Sequence, residues 1–481
     1  MERISELPER VIQIGEGRFV RGFVDWLINR LNVAGLFGGR VVVVAPRRTG
    51  ARHLIEWARQ DFLYTVWLRG LENGREVDEA EIVMSVSRGI DPYTQWRAFL
   101  NCAANPAIDI CVSNTTEAGL AFQSEAWEPD RAPESYPGKL TAYLYRRYEH
   151  FCGDPDRGMV IVPCELVDDN GAVLRAAVLR CIHEWKLPTA FAAWVTTANH
   201  FCNTLVDRIV TGLPPGEDLQ GAMDQFGYED QFLTVGEPFH LFVIEDGGTL
   251  RDRWPLADSG LAVRFVDDVS PYRLLKVRIL NGAHTALAVT ALLAGLTTVR
   301  AAVNDELFAS FVHHVVFSEI VPTLAVEPQS ADRFAQAVLE RFQNPYIEHR
   351  LQDIMLHALT KFRVRLAPTI QAHVQREGRL PPLLTTAFAA LLLYYHPDSG
   401  ACIEDRPELE MLVRSVWAKE AEDVSLPDVV RELLALHAVW GLDANEWPGA
   451  TETIARQIAH WREKGARASV TAALLEGGLA R

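Results

Sequence analysis

The sequence predicts an α/β N-terminal domain with a mostly parallel sheet, followed by a mainly α-helical C-terminal domain. Three observations predict this fold class. Over the first half, short apolar runs alternate with helical stretches, which is typical of βαβ units. Beyond about residue 270, helical periodicity dominates and strand signals nearly vanish. The chain has 481 residues, too many for one ordinary core.

The strand signals of the first half are short and strongly apolar. The first strand is predicted over residues 11–14, and a helix follows over 18–32. Four consecutive valines at 41–44 predict a strand that is buried on both faces, because such strands do not alternate with polar residues. Further strands are predicted over 108–113, 159–163, 241–244 and 263–266.

The helical half begins after the acidic segment at 267–271, which ends in Pro271. We therefore expect two domains, residues 1–268 and 269–481. Helices are predicted over 301–320, 332–342, 346–364, 384–395 and, as a C-terminal tail, 452–479.

Charge and composition exclude several classes of protein. A formal net charge of −16 argues against nucleic acid and anionic membranes as partners. We see no apolar run of the roughly 18 residues that a membrane helix needs, and no signal peptide. The seven cysteines form no CxxC pair, so reduced thiols in a cytoplasmic protein are expected.

A glycine turn, Gly15-Glu16-Gly17, follows the first strand and opens the first helix. This context is typical of a dinucleotide site, where the backbone approaches a pyrophosphate at a helix N-terminus. The third glycine of that pattern is replaced by Val20. The alternative is a strand-to-helix turn without a ligand. Arg21 either contacts a phosphate or is a solvated charge.

The end of the second strand bears on the choice between NAD and NADP. An acidic residue there usually binds the ribose 2′-hydroxyl of NAD. Here Arg47 and Arg48 follow the valine strand instead. They either hold the 2′-phosphate of NADP or are ordinary surface charges, so NAD is expected with NADP left open.

Lys276, Asn281 and His284 lie five and three residues apart on one predicted helix. At about 100° per residue they sit near roughly 0°, 140° and 80°, so all three can face one cleft. A lysine can exchange a proton, while the amide and the imidazole can donate hydrogen bonds to one carbonyl oxygen. This set suits the interconversion of a ketone and a secondary alcohol. The alternative is a solvated lysine beside a satisfied core histidine.

These segments together resemble the mannitol dehydrogenase family of polyol-specific long-chain dehydrogenases, from Arg10 to about residue 460. The segments that carry the resemblance are IGEGRFVR at 14–21, SNTTEAG at 113–119, PCEL at 163–166, NTLVDRI at 203–209, KVRILNGAH at 276–284, NPYI at 344–347 and TKFR at 360–363. Within this family, the segments SNTTEAG and PCEL resemble those of the hexuronate reductases in particular.

The resemblance implies a metal-independent enzyme with a Rossmann-type N-terminal domain and a helical substrate domain, with the active site in the cleft between them. It places the family's catalytic lysine on Lys276, and its carbonyl-polarising asparagine and histidine on Asn281 and His284. One family asparagine is replaced by Leu166, which makes a plain polyol less expected. The expected substrate is a keto-hexuronate, tagaturonate, reduced to an aldonate. The alternatives are fructuronate and a polyol such as mannitol.

The other candidate site residues follow from the same segments. Thr115, Thr116 and Glu117 are expected near the nicotinamide or, alternatively, as a helix cap. A basic residue should hold the substrate carboxylate, and Lys361 and Arg363 are the candidates unless they form a solvated face. Asn203 and Asp207 lie four apart on a predicted helix near the substrate; Asp207 and Arg208 are otherwise an ion pair. The full cofactor set is Ile14, Gly15, Glu16, Gly17, Phe19, Arg21, Arg47, Asn114, Thr115, Thr116 and Glu117.

Two rival functions belong to other classes. A protein that senses redox state by binding a dinucleotide without catalysis would not need Lys276, Asn281 and His284. Metal-dependent alcohol oxidation would need a His/Cys/Asp cluster of useful spacing, and we find none in the sequence. The expected partners are a small-molecule hexuronate or aldonate and, at most, a few copies of the same chain.

Overall fold

The computed structural model describes residues 2–213 and 216–479. The chain forms two compact units, Met1–Val269 and Ser270–Arg481. Among the described residues, no helix combines the length and the apolar character needed to cross a membrane.

The strands of the described chain all belong to the first unit. They are β1 (Glu9–Ile14), β2 (Arg40–Val44), β3 (Tyr64–Glu72), β4 (Arg75–Val83), β5 (Val86–Ile90), β6 (Ile110–Ser113), β7 (Val160–Pro163), β8 (His200–Phe201), β9 (Thr204–Asp207), β10 (Val210–Thr211), β11 (Thr234–Gly236), β12 (Leu241–Glu245) and β13 (Val263–Val266).

The main sheet of the first unit has the order β5-β2-β1-β6-β7-β8, and every neighbouring pair in it is parallel. Numbered along the chain, these strands run 3-2-1-4-5-6, the order of a Rossmann sheet. The predicted fold class is therefore confirmed. In such a sheet a ligand lies beyond the carboxyl ends of the strands where the order reverses, here at β1 and β6.

The valine strand β2 is buried on both faces, as predicted. Val41 and Val43 pack into one core together with Trp57, while Val42 and Val44 pack into a second core with Phe99. Alternate side chains of a strand point to opposite faces, so one run of valines supplies both cores. Because the valines are buried, the end of β2 is fixed in the core, and this sets the position of Arg47, three residues further along the chain.

Two smaller sheets complete the first unit. One has the order β10-β11-β3-β4 and the other β13-β12-β9. The hairpin β3-β4 was not predicted, although its turn, Asn73-Gly74, is a strong hairpin signal. Both turn residues have positive φ, 53° and 72°, as a two-residue hairpin of this kind requires.

The helices of the first unit connect these strands. They are α1 (Glu2–Ser5), α2 (Arg18–Val20), α3 (Trp26–Val33), α4 (Ala51–Ala58), α5 (Trp96–Cys102), α6 (Tyr136–His150), α7 (Asn170–Glu184), α8 (Thr189–Ala198), α9 (Leu219–Phe226) and α10 (Thr249–Arg253). A π-helical turn, Arg21–Asp25, joins α2 to α3, so the chain is helical from Arg18 to Val33.

The second unit is helical in the part of the chain that the structure describes. Its helices are α11 (Ser270–Leu275), α12 (Gly282–Leu293), α13 (Val299–Asn304), α14 (Glu306–His314), α15 (Pro328–Phe342), α16 (Leu351–Met355), α17 (Ala358–Arg365), α18 (Ala367–Glu377), α19 (Pro382–Tyr394), α20 (Pro407–Trp417), α21 (Leu426–Leu434), α22 (His437–Trp440) and α23 (Ala450–Glu476). Helix α12 is buried from Gly282 to Ala291 and packs against α14, α16, α17 and α19.

Two of the predicted helices are wrong as single helices, and the predicted tail helix over 452–479 is kinked inside α23 at Gly465, which has a φ of +79°. The segment 301–320 breaks at Asp305, whose carboxylate accepts hydrogen bonds from the backbone N–H groups of Leu307 and Phe308 and so caps α14. The segment 346–364 starts only at α16 and breaks again before α17, where His357 has a φ of +54°. Apolar periodicity continued across both breaks, because the flanking helices bury the same face.

Candidate active site

The glycine turn after β1 makes a close backbone approach that only glycine permits. Gly15 has a φ of +138°, and a Cβ built there would lie 2.6 Å from the carbonyl oxygen of Asn114. A Cβ on Gly17 would meet nothing within 4 Å. Gly17 precedes the helical segment that starts at Arg18, so the turn leaves open space beside a helix N-terminus. Ile14, the last residue of β1, is buried beneath it.

The side chain of Arg21 supports this turn through hydrogen bonds. Its Nη1 donates to the carbonyl oxygen of Glu16 at 2.7 Å, and its Nε donates to Oγ1 of Thr234 at 3.2 Å. The guanidinium also lies over the rings of Trp57 and Phe232. Arg21 is therefore not a solvated charge, and its contact with a phosphate stays a prediction. Phe19 is half-buried and stacks on Phe23, with ring centroids 5.0 Å apart.

A large cavity, about 1180 Å³, lies beside the turn and the end of β2. Its lining is rich in basic side chains. They are Arg18, Arg21, Arg47, Arg52, His53 and Arg59, accompanied by the acids Glu16, Glu56 and Glu229.

The carboxyl ends of β6 and β7 are tied together by a buried carboxylate, Glu165. Its Oε1 accepts hydrogen bonds from the backbone N–H and the hydroxyl of Thr115, both at 2.9 Å, and its Oε2 accepts from Ser113 at 3.0 Å. Asn114 donates to the carbonyl oxygen of Cys164. Burial raises the pKa of Glu165, against these hydrogen bonds. Asn114 and Thr115 are thus held rigidly at the switch point of the sheet.

Thr116 and Glu117 form a helix cap. The hydroxyl of Thr116 accepts a hydrogen bond from the backbone N–H of Gly119 at 3.1 Å, and Glu117 is the exposed first residue of the short 3₁₀ turn that follows. The cap interpretation is therefore confirmed. Their contact with a nicotinamide stays a prediction.

Asn203 and Asp207 do not lie on a helix, and that prediction is wrong. Asn203 precedes β9 and Asp207 ends it, because the apolar residues between them pair with β12 in an antiparallel ladder. Asn203 accepts from the N–H of Ala172 and donates to Glu245, both at 3.1 Å. Asp207 is buried.

Arg208, the residue that Asp207 was alternatively expected to pair with, binds backbone carbonyl oxygens. It donates to Glu237 and to Gly22, both at 2.8 Å, and lies over the ring of Trp26. Burial lowers the pKa of Arg208 to about 9.

In the second unit, Lys276 and Asn281 begin and end a π-helical turn, which leads directly into α12. The expectation of a regular α-helix is wrong over this turn. A π turn bonds each N–H to the carbonyl five residues earlier, so residues five apart lie above one another. Lys276 and Asn281 therefore share a helix face more closely than the roughly 140° separation of an α-helix allows. Such turns often occur at functional sites.

His284 lies one turn further along, in the first turn of α12. Its ring stacks on Phe342 with centroids 4.2 Å apart, and His349 approaches it edge-on at 4.8 Å. Burial is the main reason that the pKa of His284 lies well below the ordinary 6.5, and nearby positive groups, Arg341, Lys361 and Arg365 among them, lower it further. The imidazole is therefore uncharged at neutral pH and carries one N–H donor.

The two residues expected to bind a carboxylate, Lys361 and Arg363, have different surroundings. Lys361 is half-buried and donates to the carbonyl oxygen of Ile354 at 2.8 Å, and burial lowers its pKa to about 8. Arg363 is exposed and turns towards Ala438, whose carbonyl oxygen is 3.5 Å from its Nη1. The structure brings Lys361 near His284 but directs Arg363 elsewhere.

Arg365 is the functional candidate that the sequence reasoning missed. Its Nη1 donates to the hydroxyl of Thr285, the residue after His284, at 3.2 Å, and burial lowers its pKa to about 10. The signal was the helical spacing, since residues 361 and 365 lie four apart and share a face of α17, whereas 363 lies on another. His349 was also missed, because a loop brings it to α12.

Both units match known protein families. Residues 9–257 match the mannitol dehydrogenase Rossmann domain, and residues 268–461 match the mannitol dehydrogenase C-terminal domain. Two solved structures share the fold: the mannitol 2-dehydrogenase of Pseudomonas fluorescens, in a ternary complex with NAD and D-mannitol (24% identity, TM-score 0.71, 98% of this chain and 95% of that one), and a D-sorbitol dehydrogenase in substrate-free form (22%, 0.81, 97% and 96%).

Several curated relatives are similar along the whole chain, and each is named altronate oxidoreductase. That of Halalkalibacterium halodurans is 41% identical (98% of this chain, 95% of the relative), that of Bacillus subtilis 40% (100% and 98%) and that of Klebsiella pneumoniae 43% (97% and 97%). With both domains matched in order and relatives of this similarity, the chain belongs to the mannitol dehydrogenase family.

Proposed function

We propose that this chain is an NAD(P)-dependent altronate oxidoreductase, which reduces the keto group of D-tagaturonate to give D-altronate and catalyses the reverse oxidation. The observation that carries this proposal is 40–43% identity to altronate oxidoreductases over nearly the full length of both chains. The expected place of the reaction is hexuronate catabolism.

The first unit fits a dinucleotide. The sheet order reverses beside a glycine turn, Gly17 leaves open space at a helix N-terminus, and a cavity rich in arginine continues past the end of β2. Gly15, Glu16 and Gly17 would hold the pyrophosphate, and Asn114 and Thr115 would lie towards the nicotinamide. A bound dinucleotide would supply the hydride for the keto carbon, while residues of the second unit would orient the substrate and move the proton.

Asn281 and His284 are proposed to donate hydrogen bonds to the keto oxygen as negative charge builds on it. A neutral imidazole suits this role, because it donates without having to lose a proton first. Removing one such donor typically costs about 3–4 kcal/mol of transition-state stabilisation. The stack on Phe342 fixes the plane of the imidazole, so its N–H donates within that plane.

Lys276 is proposed to deliver the proton to that oxygen, and to remove it in the reverse direction. The π turn supports this proposal, because it brings Lys276 and Asn281 to one face of the helix, from which a proton donor and a hydrogen-bond donor would reach the same oxygen. Proton transfer from a positioned side chain typically contributes about 10²–10⁴-fold in rate.

Lys361 and Arg365 are proposed to bind the substrate carboxylate. They lie one turn apart on α17, and both face the His284 side of the second unit. With pKa values near 8 and 10, both can carry positive charge at neutral pH. Each already makes one hydrogen bond to the protein, which orients it and leaves its other N–H groups for a carboxylate. Asn203 and Asp207 remain proposed as further substrate contacts.

Substrate profiling tests the proposal. The purified protein is mixed with D-tagaturonate, D-fructuronate or D-fructose together with NADH or NADPH, and loss of reduced cofactor is followed by absorbance. We expect turnover of tagaturonate to exceed that of the other two substrates. Fast turnover of fructose with none of tagaturonate would replace the proposal with a polyol dehydrogenase, and preference for fructuronate would replace it with a fructuronate reductase.

A further inference from the structure

A polar side chain lies in the middle of the main sheet. Gln13 on β1 is fully buried, and its neighbours in the sheet are Val43 on β2 and Val112 on β6, which belong to the apolar core on that face. Ile12 and Ile14, on either side of Gln13, pack into the core on the opposite face. A buried amide destabilises the fold unless it is hydrogen-bonded, so the partners of Gln13 should indicate its role.

The amide of Gln13 contacts two hydrogen-bond acceptors. Its Nε2 donates to the carbonyl oxygen of Gly15 at 3.1 Å and to Oδ2 of Asp25 at 3.3 Å. A primary amide has two N–H groups, and these two contacts engage both. Because both neighbours are acceptors, the nitrogen of the amide faces them and Oε1 does not. Asp25 therefore helps to hold the amide in the orientation that binds Gly15.

Asp25, in the π-helical turn that joins α2 to α3, is a buried carboxyl group with few partners. Its Oδ2 also accepts from the hydroxyl of Tyr64 at 3.5 Å, and Oδ1 has no hydrogen-bond partner among the described residues. Burial raises the pKa of Asp25 to about 7, against the contacts with Gln13, Arg21 and Tyr64, which lower it. A buried carboxyl group with two long hydrogen bonds costs desolvation energy and recovers little of it. The position of Gln13 explains Asp25 better than stability does.

The next carbonyl group of the glycine turn is held in the same way. The carbonyl oxygen of Glu16 accepts from Nη1 of Arg21 at 2.7 Å. In a trans peptide the C=O and the following N–H point in opposite directions. The N–H groups of Glu16 and Gly17 therefore point away from the buried side chains of Gln13 and Arg21. Both Glu16 and Gly17 line the large cavity beside the turn, where a ligand can reach them.

An anionic group already contacts one of these N–H groups. Burial raises the pKa of the Glu16 carboxyl group, and the largest of the opposing effects is a hydrogen bond from the N–H of the same residue. That N–H is thus directed at a carboxylate oxygen. Successive backbone N–H groups that face one side form an anion-binding site, so a pyrophosphate oxygen would take the place of this carboxylate.

We propose that Asp25 and Gln13 are a positioning pair for the dinucleotide. Asp25 orients the amide of Gln13, Gln13 holds the carbonyl oxygen of Gly15 away from the ligand, and the N–H of Glu16 is thereby directed at the pyrophosphate. Neither side chain of the pair contacts the dinucleotide. Without the amide, the carbonyl group of Gly15 is free to rotate outwards, where its oxygen would repel a phosphate. This inference rests on the proposed function and concerns the part of the cofactor that NAD and NADP share.

Equilibrium binding of two fragments of the cofactor tests the role of Gln13 without turnover. Isothermal titration calorimetry on the full chain gives dissociation constants for ADP, which carries the pyrophosphate, and for adenosine, which lacks it. Gln13→Met keeps the length of the side chain and removes its N–H groups. We expect this variant to bind ADP about tenfold more weakly and to bind adenosine within about twofold of the unaltered protein.

Asn32→Leu is the matched control, because Asn32 is also a buried amide of the first unit but bonds to the backbone of Gly39. It should leave both dissociation constants within about twofold of those of the unaltered protein. Thermal unfolding of each variant, followed by circular dichroism, establishes that the protein is folded at the temperature of the titration.

Two variants of Asp25 test the other half of the pair, and they carry the test alone if Gln13→Met does not fold. Asp25→Asn keeps an oxygen that accepts from Gln13, whereas Asp25→Leu removes it. We expect Asp25→Leu to weaken ADP about tenfold and Asp25→Asn to weaken it by less than about threefold, with adenosine unchanged in both.

The contrary outcomes separate this inference from the proposed function. Equal weakening of ADP and adenosine in Gln13→Met, or no weakening of either, would overturn the positioning role while the proposed function stands. Equal weakening of ADP by Asp25→Asn and Asp25→Leu would overturn the role of Asp25 as a hydrogen-bond acceptor for Gln13. If the unaltered protein bound neither ADP nor either dinucleotide, the proposed function would be overturned as well.

Discussion

The imidazole of His284 lies nearly parallel to the ring of Phe342, at an interplanar angle of 16° and a centroid distance of 4.2 Å. Helix α15 thus ends with a phenylalanine that supports the first turn of α12. A ring stacked on one aromatic residue, with His349 at a steep angle to it, keeps its N–H within one plane.

Replacing His284 with alanine should lower kcat by about 10²–10³-fold, because one hydrogen bond to the developing oxyanion is lost. Steady-state kinetics with tagaturonate checks this. His313→Ala is a control for the loss of an imidazole, since His313 also packs against a phenylalanine, Phe317, at 4.8 Å, but is exposed on α14. An equal loss in His313→Ala would show that both changes act through the fold.

Arg365 and Arg363 form a second matched pair. Replacing Arg365 with methionine should raise KM for tagaturonate by about tenfold or more, since a charge-assisted contact to the carboxylate is removed. KM for fructose, which has no carboxylate, should change much less. Arg363→Met should leave both constants unchanged, because Arg363 is exposed and faces Ala438. An equal fold-change in KM for tagaturonate and fructose in Arg365→Met, or no change in either, would remove Arg365 from carboxylate binding.

The two glycines of the turn should respond differently to an added methyl group. Gly15→Ala places a Cβ 2.6 Å from the carbonyl oxygen of Asn114 at a positive φ, so we expect a loss of about 1–3 kcal/mol in the free energy of unfolding. Gly17→Ala meets no atom within 4 Å and should change that free energy by less than about 0.5 kcal/mol. Urea denaturation of both variants, followed by circular dichroism, gives the comparison. Equal free energies of unfolding for the two variants would mean that the carboxyl ends of β1 and β6 can move apart at little energetic cost.

Glu319 should make stability fall with rising pH. Its carboxylate is buried and accepts hydrogen bonds from the N–H groups of Leu383 and Leu384 at the start of α19, and burial raises its pKa from 4.5 to about 8. The pKa of Glu319 is higher in the folded than in the unfolded state, so the group stabilises the fold fully below pH 4.5. This stabilisation is lost as pH rises through about 8. The loss is on the order of a few kcal/mol.

Glu319→Gln should remove this dependence, because glutamine stays neutral. We therefore expect denaturant midpoints to show the variant gaining stability relative to the unaltered protein between pH 6 and pH 9. Glu327→Gln is the control, since Glu327 caps α15 through Gln329 and Ser330 but is exposed, and its pKa is lowered. Its contribution is lost only as pH falls through that lowered pKa, so it should show no change over the same range. If the denaturant midpoints of Glu319→Gln and the unaltered protein differed by the same amount at every pH in this range, the prediction would be contradicted.

The parts of the fold that follow from local rules were predicted from the sequence. The valines at 41–44 had to form a strand buried on both faces, and the glycine turn had to connect a strand with a helix. The hairpin β3-β4 was missed because β4 carries exposed charges on both of its faces, such as Asp78 and Glu79, which hide its strand pattern. Only the Asn73-Gly74 turn marked it.

The residue types of the candidate site could be predicted from the sequence better than the geometry of the site could. Lys276, Asn281 and His284 were identified from spacing, but the π turn was not, because a turn of this kind has no local sequence rule. Asn203 and Asp207 were placed on a helix because a spacing of four is helical, whereas pairing with β12 draws the segment into a strand. Arg365 was missed because Lys361 and Arg363 were chosen without regard to helix faces, although Lys361 and Arg365 share one; its contact with Thr285 follows only from the fold.

The π turn from Lys276 to Asn281 also constrains how this chain can change. A π turn amounts to one residue inserted into an α-helix, and removing that residue would restore regular winding. Lys276 and Asn281 would then lie four residues apart, about 40° around the helix, so both would still face the same side. Rewinding the turn as a regular α-helix at its present length would instead separate the two residues by about 140°. Lys276 would turn away from Asn281 with no side chain substituted at all, so the winding of this segment is as much a part of the chemistry as the identity of its residues.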